Sequence, residues 1–173
     1  MNLAIHPAPI ANHVRPSPNA CGAALISPTL CSLSFAQGVD PFIGSWTLNR
    51  DKSKFDGYAA LVSETWVVTS EKNGLVRMMI DWVEADGTRG HVDYLTAYDG
   101  KVRPIEGNPD FDAVKYEQLG PGKFQSVLLK QNKVVEHESY LISSDGNTCW
   151  DTDSGYDEQG KPWTLHLVFE RRH

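Results

Sequence analysis

Acidic, phenolic and imidazole side chains crowd the stretch HVDYLTAYDGKVRPIEGNPDFDAV, His91 to Val114, which carries one histidine, five carboxylates and two tyrosines. His91 and Asp93 share one face of an extended segment, so the pair could pass a proton to or from a substrate if that face lay in a cleft. The other acids of the stretch mostly have turn roles. Asp99 precedes Gly100 and Asp110 follows Asn108-Pro109, places where a short side-chain acceptor satisfies backbone N–H groups. The stretch therefore reads as the corner of a β-barrel rather than as an active site.

Metal and cofactor chemistry find little support. DTDSGYDE sets Asp151, Asp153 and Asp157 at the first, third and seventh places of an imitation calcium loop, but the glycine and the distal glutamate of such a loop are missing. A solvated hairpin turn is the expectation there. His91, His137 and His166 fall on different segments and form no local ligand pair. There is no CxxC pair, Walker loop, dinucleotide fingerprint or nucleophile elbow, so neither a metal nor a cofactor is expected.

The elements that must carry these side chains alternate with period two. From Gly44 onward, runs such as LVSETWVVTS, LVRMMIDWVEA, HVDYLTAYDG, KFQSVLLK, KVVEHESYLISS, NTCWDTDSG and WTLHLVFERR are separated by EKNG, ADGT, KQNK, SDGN and DEQGK. Asn-Gly and Asp-Gly favour the tight turns of hairpins. No long amphipathic helix separates the runs, which excludes a parallel βαβ sheet. The expectation is all-β: an antiparallel up-and-down barrel of eight to ten strands, with a short helix or loop in SKFDGYAA.

The first 38 residues differ from the rest. Residues 1–40 hold five of the ten prolines and, as charges, only Arg15 and Asp40. CGAALISPTLCSLSFAQG is a modest apolar region ending in Ser34-Phe35-Ala36, a small-x-small pattern that places a cut before Gln37. This is either a secretory signal peptide or a disordered Pro-rich leader, with the barrel domain at 39–173, and the implied location is secreted or periplasmic. The formal net charge of −6 argues against nucleic acid as a partner, and no segment approaches the ~20 apolar residues of a spanning helix.

Alternation also assigns faces. Met78, Ile80 and Trp82 share one face of their run, Tyr94 opposes His91 and Asp93, and Trp163 opposes His166. With Trp66 and Tyr116, these aromatic and sulfur-bearing side chains line the expected interior, either filling it or surrounding a cavity. The run from Lys133 is ambiguous. Glu136 and Glu138 weigh against their own face being inside, which would put His137 in the interior with Val135, Ser139 and Leu141.

At this point a family resemblance can be stated. DPFIGSWTLNRDKSKF resembles the Gly-x-Trp-x-Leu-Asn signature of small secreted bacterial proteins with a lipocalin-like β-barrel. EADGTRGHVDYLTAYDGKVRPIEGNPDFDAV, KVVEHESYLISSDGNT and DSGYDEQGKP are similar to later motifs of the same proteins, so the resemblance runs from about Asp40 to Arg171. It implies the barrel fold and supplies no catalytic residues, since the family has no settled activity. Where many members carry basic residues before the Ser-x-Asp-Gly turn, this chain has Ser139 and Tyr140.

These readings converge on an exported barrel that binds a small apolar or aromatic molecule through Trp66, Met78, Ile80, Trp82, Tyr94, Tyr116, His137 and Trp163. The alternative is a cofactor-independent isomerase, cyclase or lyase in the same cavity. There His137 would serve as general acid/base and Tyr94 or Tyr116 would orient the substrate or donate a proton. A filled barrel with a structural or interaction role is the third reading.

Overall fold

In a computed structural model, the described residues are 40–56, 61–157 and 159–173. The leader expected at 1–38 lies outside them. The strands are β1 (Gly44–Leu48), β2 (Lys54–Asp56), β3 (Ser63–Ser70), β4 (Val76–Val83), β5 (Arg89–Thr96) and β6 (Asp99–Pro104), followed by β7 (Ala113–Gly120), β8 (Lys123–Lys130), β9 (Lys133–Ile142), β10 (Thr148–Tyr156) and β11 (Pro162–Arg172). They form one antiparallel sheet in the order β5-β4-β3-β1-β11-β10-β9-β8-β7-β6, with β2 paired to β11 beside that path. The chain is thus all-β, a nearly closed up-and-down barrel. Among the described residues it has eleven strands because β2 forms in the segment where a short helix or loop was expected, so that Phe55 sits opposite Leu165.

Turn chemistry sets the register. Asn73 and Gly74 both take positive φ (62° and 73°), as do Gln131 and Asn132 (51° and 63°), the backbone that lets two right-twisted strands reverse in a tight hairpin. Asp99-Gly100 behaves differently from the hairpin turn its sequence suggests. It stands at the start of β6, and β6 makes no ladder with β5; the sheet path has its two ends there, leaving a seam in the wall.

Side chains alternate inward and outward along each strand, and the interior is tight at one end. There Phe42 stacks on Phe124 at 5.1 Å between ring centroids, and Trp66 lies against Phe169 at 3.6 Å. Trp46 is fully buried and its indole N–H donates to the Phe42 carbonyl at 3.0 Å. Arg171 stands over the Trp46 ring at 4.2 Å. Its guanidinium donates to the carbonyls of Gly146, Ile43 and Pro41 at 2.5, 2.6 and 2.6 Å. Removing a large aromatic from such a core costs ~3–5 kcal/mol. Trp46→Ala is therefore expected to lower the free energy of unfolding by about that amount in urea titrations, and a loss under about 1 kcal/mol would contradict this packing.

Candidate functional site

The opposite end of the barrel is where the chemistry collects. Inner-face residues there keep part of their surface open: Glu64 on β3, Ile80 and Trp82 on β4, Glu136 on β9 and Trp163 on β11. We call this less buried end the mouth. Glycines seat two of its indoles, because a Cβ at Gly90 would run into the Trp82 ring and one at Gly155 into the Trp163 ring. Trp66 is buried one step deeper, and its indole N–H donates to Glu64 at 2.6 Å.

Below the rim the wall is acidic. Glu138 on β9 stands opposite Ser126 on β8 and Asp153 on β10, and Asp151 stands opposite Tyr140. Both the Ser126 hydroxyl and the Tyr140 phenol donate to one carboxylate oxygen of Glu138, the latter at 2.6 Å. From Tyr140 a chain of phenols crosses the barrel, with Tyr116 at 3.2 Å and Tyr94 a further 3.3 Å on. Oδ1 of Asp151 and of Asp153 has no hydrogen-bond partner among the described residues, although both side chains are buried.

Burial governs the protonation of these acids. It pushes Glu64 up to about 7 against the opposing hydrogen bond from Trp66, with Glu138 adding a like-charge push. Glu136 is raised by burial and then by the negative charge of Glu138, Asp153, Glu64 and Asp110. Glu138 is raised by burial, against the hydrogen bonds from Ser126 and Tyr140. Asp151 and Asp153 lie well above the usual carboxylate range, from burial first; the charge of Glu138 then raises Asp151, and the charges of Asp151 and Glu138 raise Asp153. The phenols of Tyr94, Tyr116 and Tyr140 are raised as well, chiefly by burial. In a low-dielectric interior the charged form of an acid is the costly one, so acids without a counter-cation hold their protons.

Trp66, Met78, Tyr94 and Tyr116 are buried on the inner face, and Ile80, Trp82 and Trp163 pack around them closer to the mouth. His137 is a correction. It is exposed on the outer wall, because Tyr140 and Ile142 are buried and their parity carries Glu136 and Glu138 inward, sending His137, Ser139 and Leu141 out. The presumption that glutamates stay outside fails here because several acids share the interior with phenols. DTDSGYDE is a second correction. Thr148–Tyr156 is a strand, and Asp151 and Asp153 point into the barrel with Cys149 instead of forming a solvated turn. Glu64, Glu138, Tyr140, Asp151 and Asp153 were missed as site residues; shared parity with Trp66, Ile142 and Cys149 was the available signal. His91 and His166 do face outward. His91 pairs with Asp81 at 2.8 Å while Asp93 pairs with Arg77, so the His91–Asp93 couple does not form an acid–base site.

No family model matches the chain, and no curated relative matches it. Likeness appears in folded shape. The chain is similar to the fluorescent protein UnaG, with a TM-score of 0.53 at 12% identity over 78% of this chain and 100% of that one. It is also similar to the S-type phycobiliprotein lyase CPES from Guillardia theta, with a TM-score of 0.50 at 10% identity over 77% of this chain and 89% of that one. A zebrafish ileal bile acid-binding protein complexed with cholic acid aligns with a TM-score of 0.47 at 12% identity, over 76% of this chain and 99% of that one. The likeness is one of fold, an antiparallel lipocalin-like β-barrel.

The protonated interior has a measurable consequence. Groups with raised folded-state pKa bind protons that the unfolded chain has released, so their stabilising effect is full below the ordinary carboxylate value of 4.5 and is lost as pH rises through about 7 for Glu64 and higher for Glu136. Exposed Asp93 and Glu170 have lowered values and act the other way, losing stability only below the usual range. In metal-free buffer the melting temperature is expected to peak near pH 5 and fall by ~5 °C or more on going to pH 8. Glu64→Gln should flatten the part of the fall around neutrality. A melting temperature that rises from pH 5 to pH 8 would contradict the assignment.

Proposed function

We propose that the protein binds a small organic molecule in the mouth of the barrel, one with an apolar or aromatic body and a basic nitrogen. The observation that carries this reading is Glu64, an acid with a pKa of about 7 beside the indole it accepts from, Trp66, and across the ladder from Trp82. Ile80, Trp82 and Trp163 offer flat apolar surface within reach of solvent, the kind of wall that holds an aromatic ring. Glu64 adds one acidic group aimed at the same space. A protonated amine entering there meets a carboxyl that ionises readily, so the charge pair forms out of bulk water, where it is worth most.

The test is a matched pair of probes, 2-naphthylmethylamine and 2-naphthalenemethanol, titrated into the full chain while tryptophan fluorescence is followed. The amine is expected to bind at least tenfold more tightly, ~1.4 kcal/mol, and Glu64→Gln to remove that preference while leaving the alcohol unchanged. Absence of binding by either probe, or equal binding of both, would refute the reading.

A second reading is a cofactor-independent isomerase, cyclase or lyase. Glu64 favours it too, since an acid poised at neutrality is suited to proton transfer. It takes the general acid/base role that His137, on the outer wall, cannot fill for the interior. Export belongs to the same proposal and rests on Ser34-Phe35-Ala36 before Gln37. Expressed in a bacterium, the chain is expected in the periplasm or medium with Gln37 at its N-terminus, as read by intact mass. Recovery of the uncut chain from the cytoplasm would count against export.

A further inference from the structure

We propose that Glu136, Glu138 and Asp153, with Asp151 behind them, hold a hard divalent cation of the calcium or manganese class inside the barrel. One carboxylate oxygen from each of the first three lies within 4.8 Å of the others. Oxygen ligands of such ions bind at ~2.3–2.6 Å, so the ligand atoms of one ion lie no more than about 5 Å apart. The three acids can therefore share one ion with the strands where they are. Their positions are held by register, Glu138 opposite Asp153 and Glu136 opposite Gly155.

The second observation is independent of that spacing. Asp151 is 3% exposed and Asp153 6%, and Oδ1 of each has no hydrogen-bond partner among the described residues. Asp151 shares the inner face of β10 with Asp153. Buried polar oxygens without a donor are rare in native proteins, and a cation held by the three acids supplies a partner on the Asp153 side of the pair. The charges that act on the cluster from other elements, Glu64 on β3 and Asp110 in the loop after β6, are acidic as well. The donor set is all carboxylate, with neither histidine nor thiolate, which suits calcium or manganese better than zinc or copper. Two pairs of alternate strand residues thus supply what a calcium loop supplies from one turn, with water completing the coordination.

This inference goes beyond the organic-ligand reading, and its test contains no organic ligand, so either can fail alone. The full chain is stripped with EDTA, dialysed near neutral pH and titrated with MnCl2 and CaCl2, with Mn2+ followed by electron paramagnetic resonance and unfolding by melting temperature. A single ion is expected, with Kd below about 1 mM and a rise of several degrees in melting temperature. Asp153→Asn and Glu136→Gln should each weaken binding by about tenfold or more, while Asp81→Asn on the outer wall should leave it unchanged. Asn and Gln match the shape of a protonated carboxyl group, so the variants preserve packing. Should they fail to fold, Tb3+ on the unaltered chain decides: emission sensitised through Tyr140 and Trp66 and displaced by Ca2+ supports the site, and its absence overturns it. The proposal is also overturned by no binding up to about 10 mM metal or by equal weakening in Asp81→Asn.

Discussion

The guanidinium of Arg171 donates to three backbone carbonyls from two separate segments and stands over the ring of Trp46. Hydrogen bonds from a charged donor are about twice as strong as neutral ones, and here they tie down carbonyls that no strand partner reaches. The contact joins the last strand to the residues before the first, and to the turn between β9 and β10. Trp46 completes the link by donating to Phe42, whose ring stacks on Phe124 from the far side of the barrel. One end of the barrel is thereby closed by a continuous set of contacts drawn from β1, β8, β11 and the segments around them.

A firmly closed end makes a costly interior tolerable at the other. Five buried or half-buried acids in one barrel oppose stability, and the fold keeps them by protonation, by the hydrogen bonds that Ser126 and Tyr140 give Glu138, and by the aromatic shell around them. A barrel selected for packing alone would place leucine or valine at Glu138, Asp151 and Asp153, as β11 does at Leu165 and Leu167 on the same layers. Concentrating strongly shifted groups in one concave space, away from the structural end, is the pattern of a site that acts on something.

The sequence was legible where polarity and burial agree. Period-two alternation gave the barrel, and the faces of β3, β4, β5 and β11 followed from Trp66, Met78, Tyr94 and Leu167. It misled where the interior is polar. In β9 the two possible faces differ chiefly in whether Glu136 and Glu138 or His137 and Ser139 are inside, and the ordinary cost of burying carboxylates selected the wrong one. In β10 closely spaced aspartates looked like a turn, because short acids usually cap backbone N–H groups; here the ladder with β9 and β11 satisfies the backbone and leaves the side chains to the interior. The pairing of β2 with β11 and the lack of pairing between β5 and β6 depend on contacts distant in sequence, which local pattern does not encode.

That unpaired seam sets how the barrel can breathe. Every other neighbouring pair of long strands is laced by a ladder, and prising such a pair apart breaks several backbone hydrogen bonds at once. Between β5 and β6 no ladder exists, so the two edges separate at the expense of side-chain contacts and solvent rearrangement alone. Tyr94 lies on the inner face of β5, at one terminus of the phenol chain that runs to Glu138. The wall therefore has its fewest backbone bonds beside one end of its buried hydrogen-bond network, while β1 and β11, which carry Trp46 and Arg171, stand near the middle of the sheet path, away from the seam.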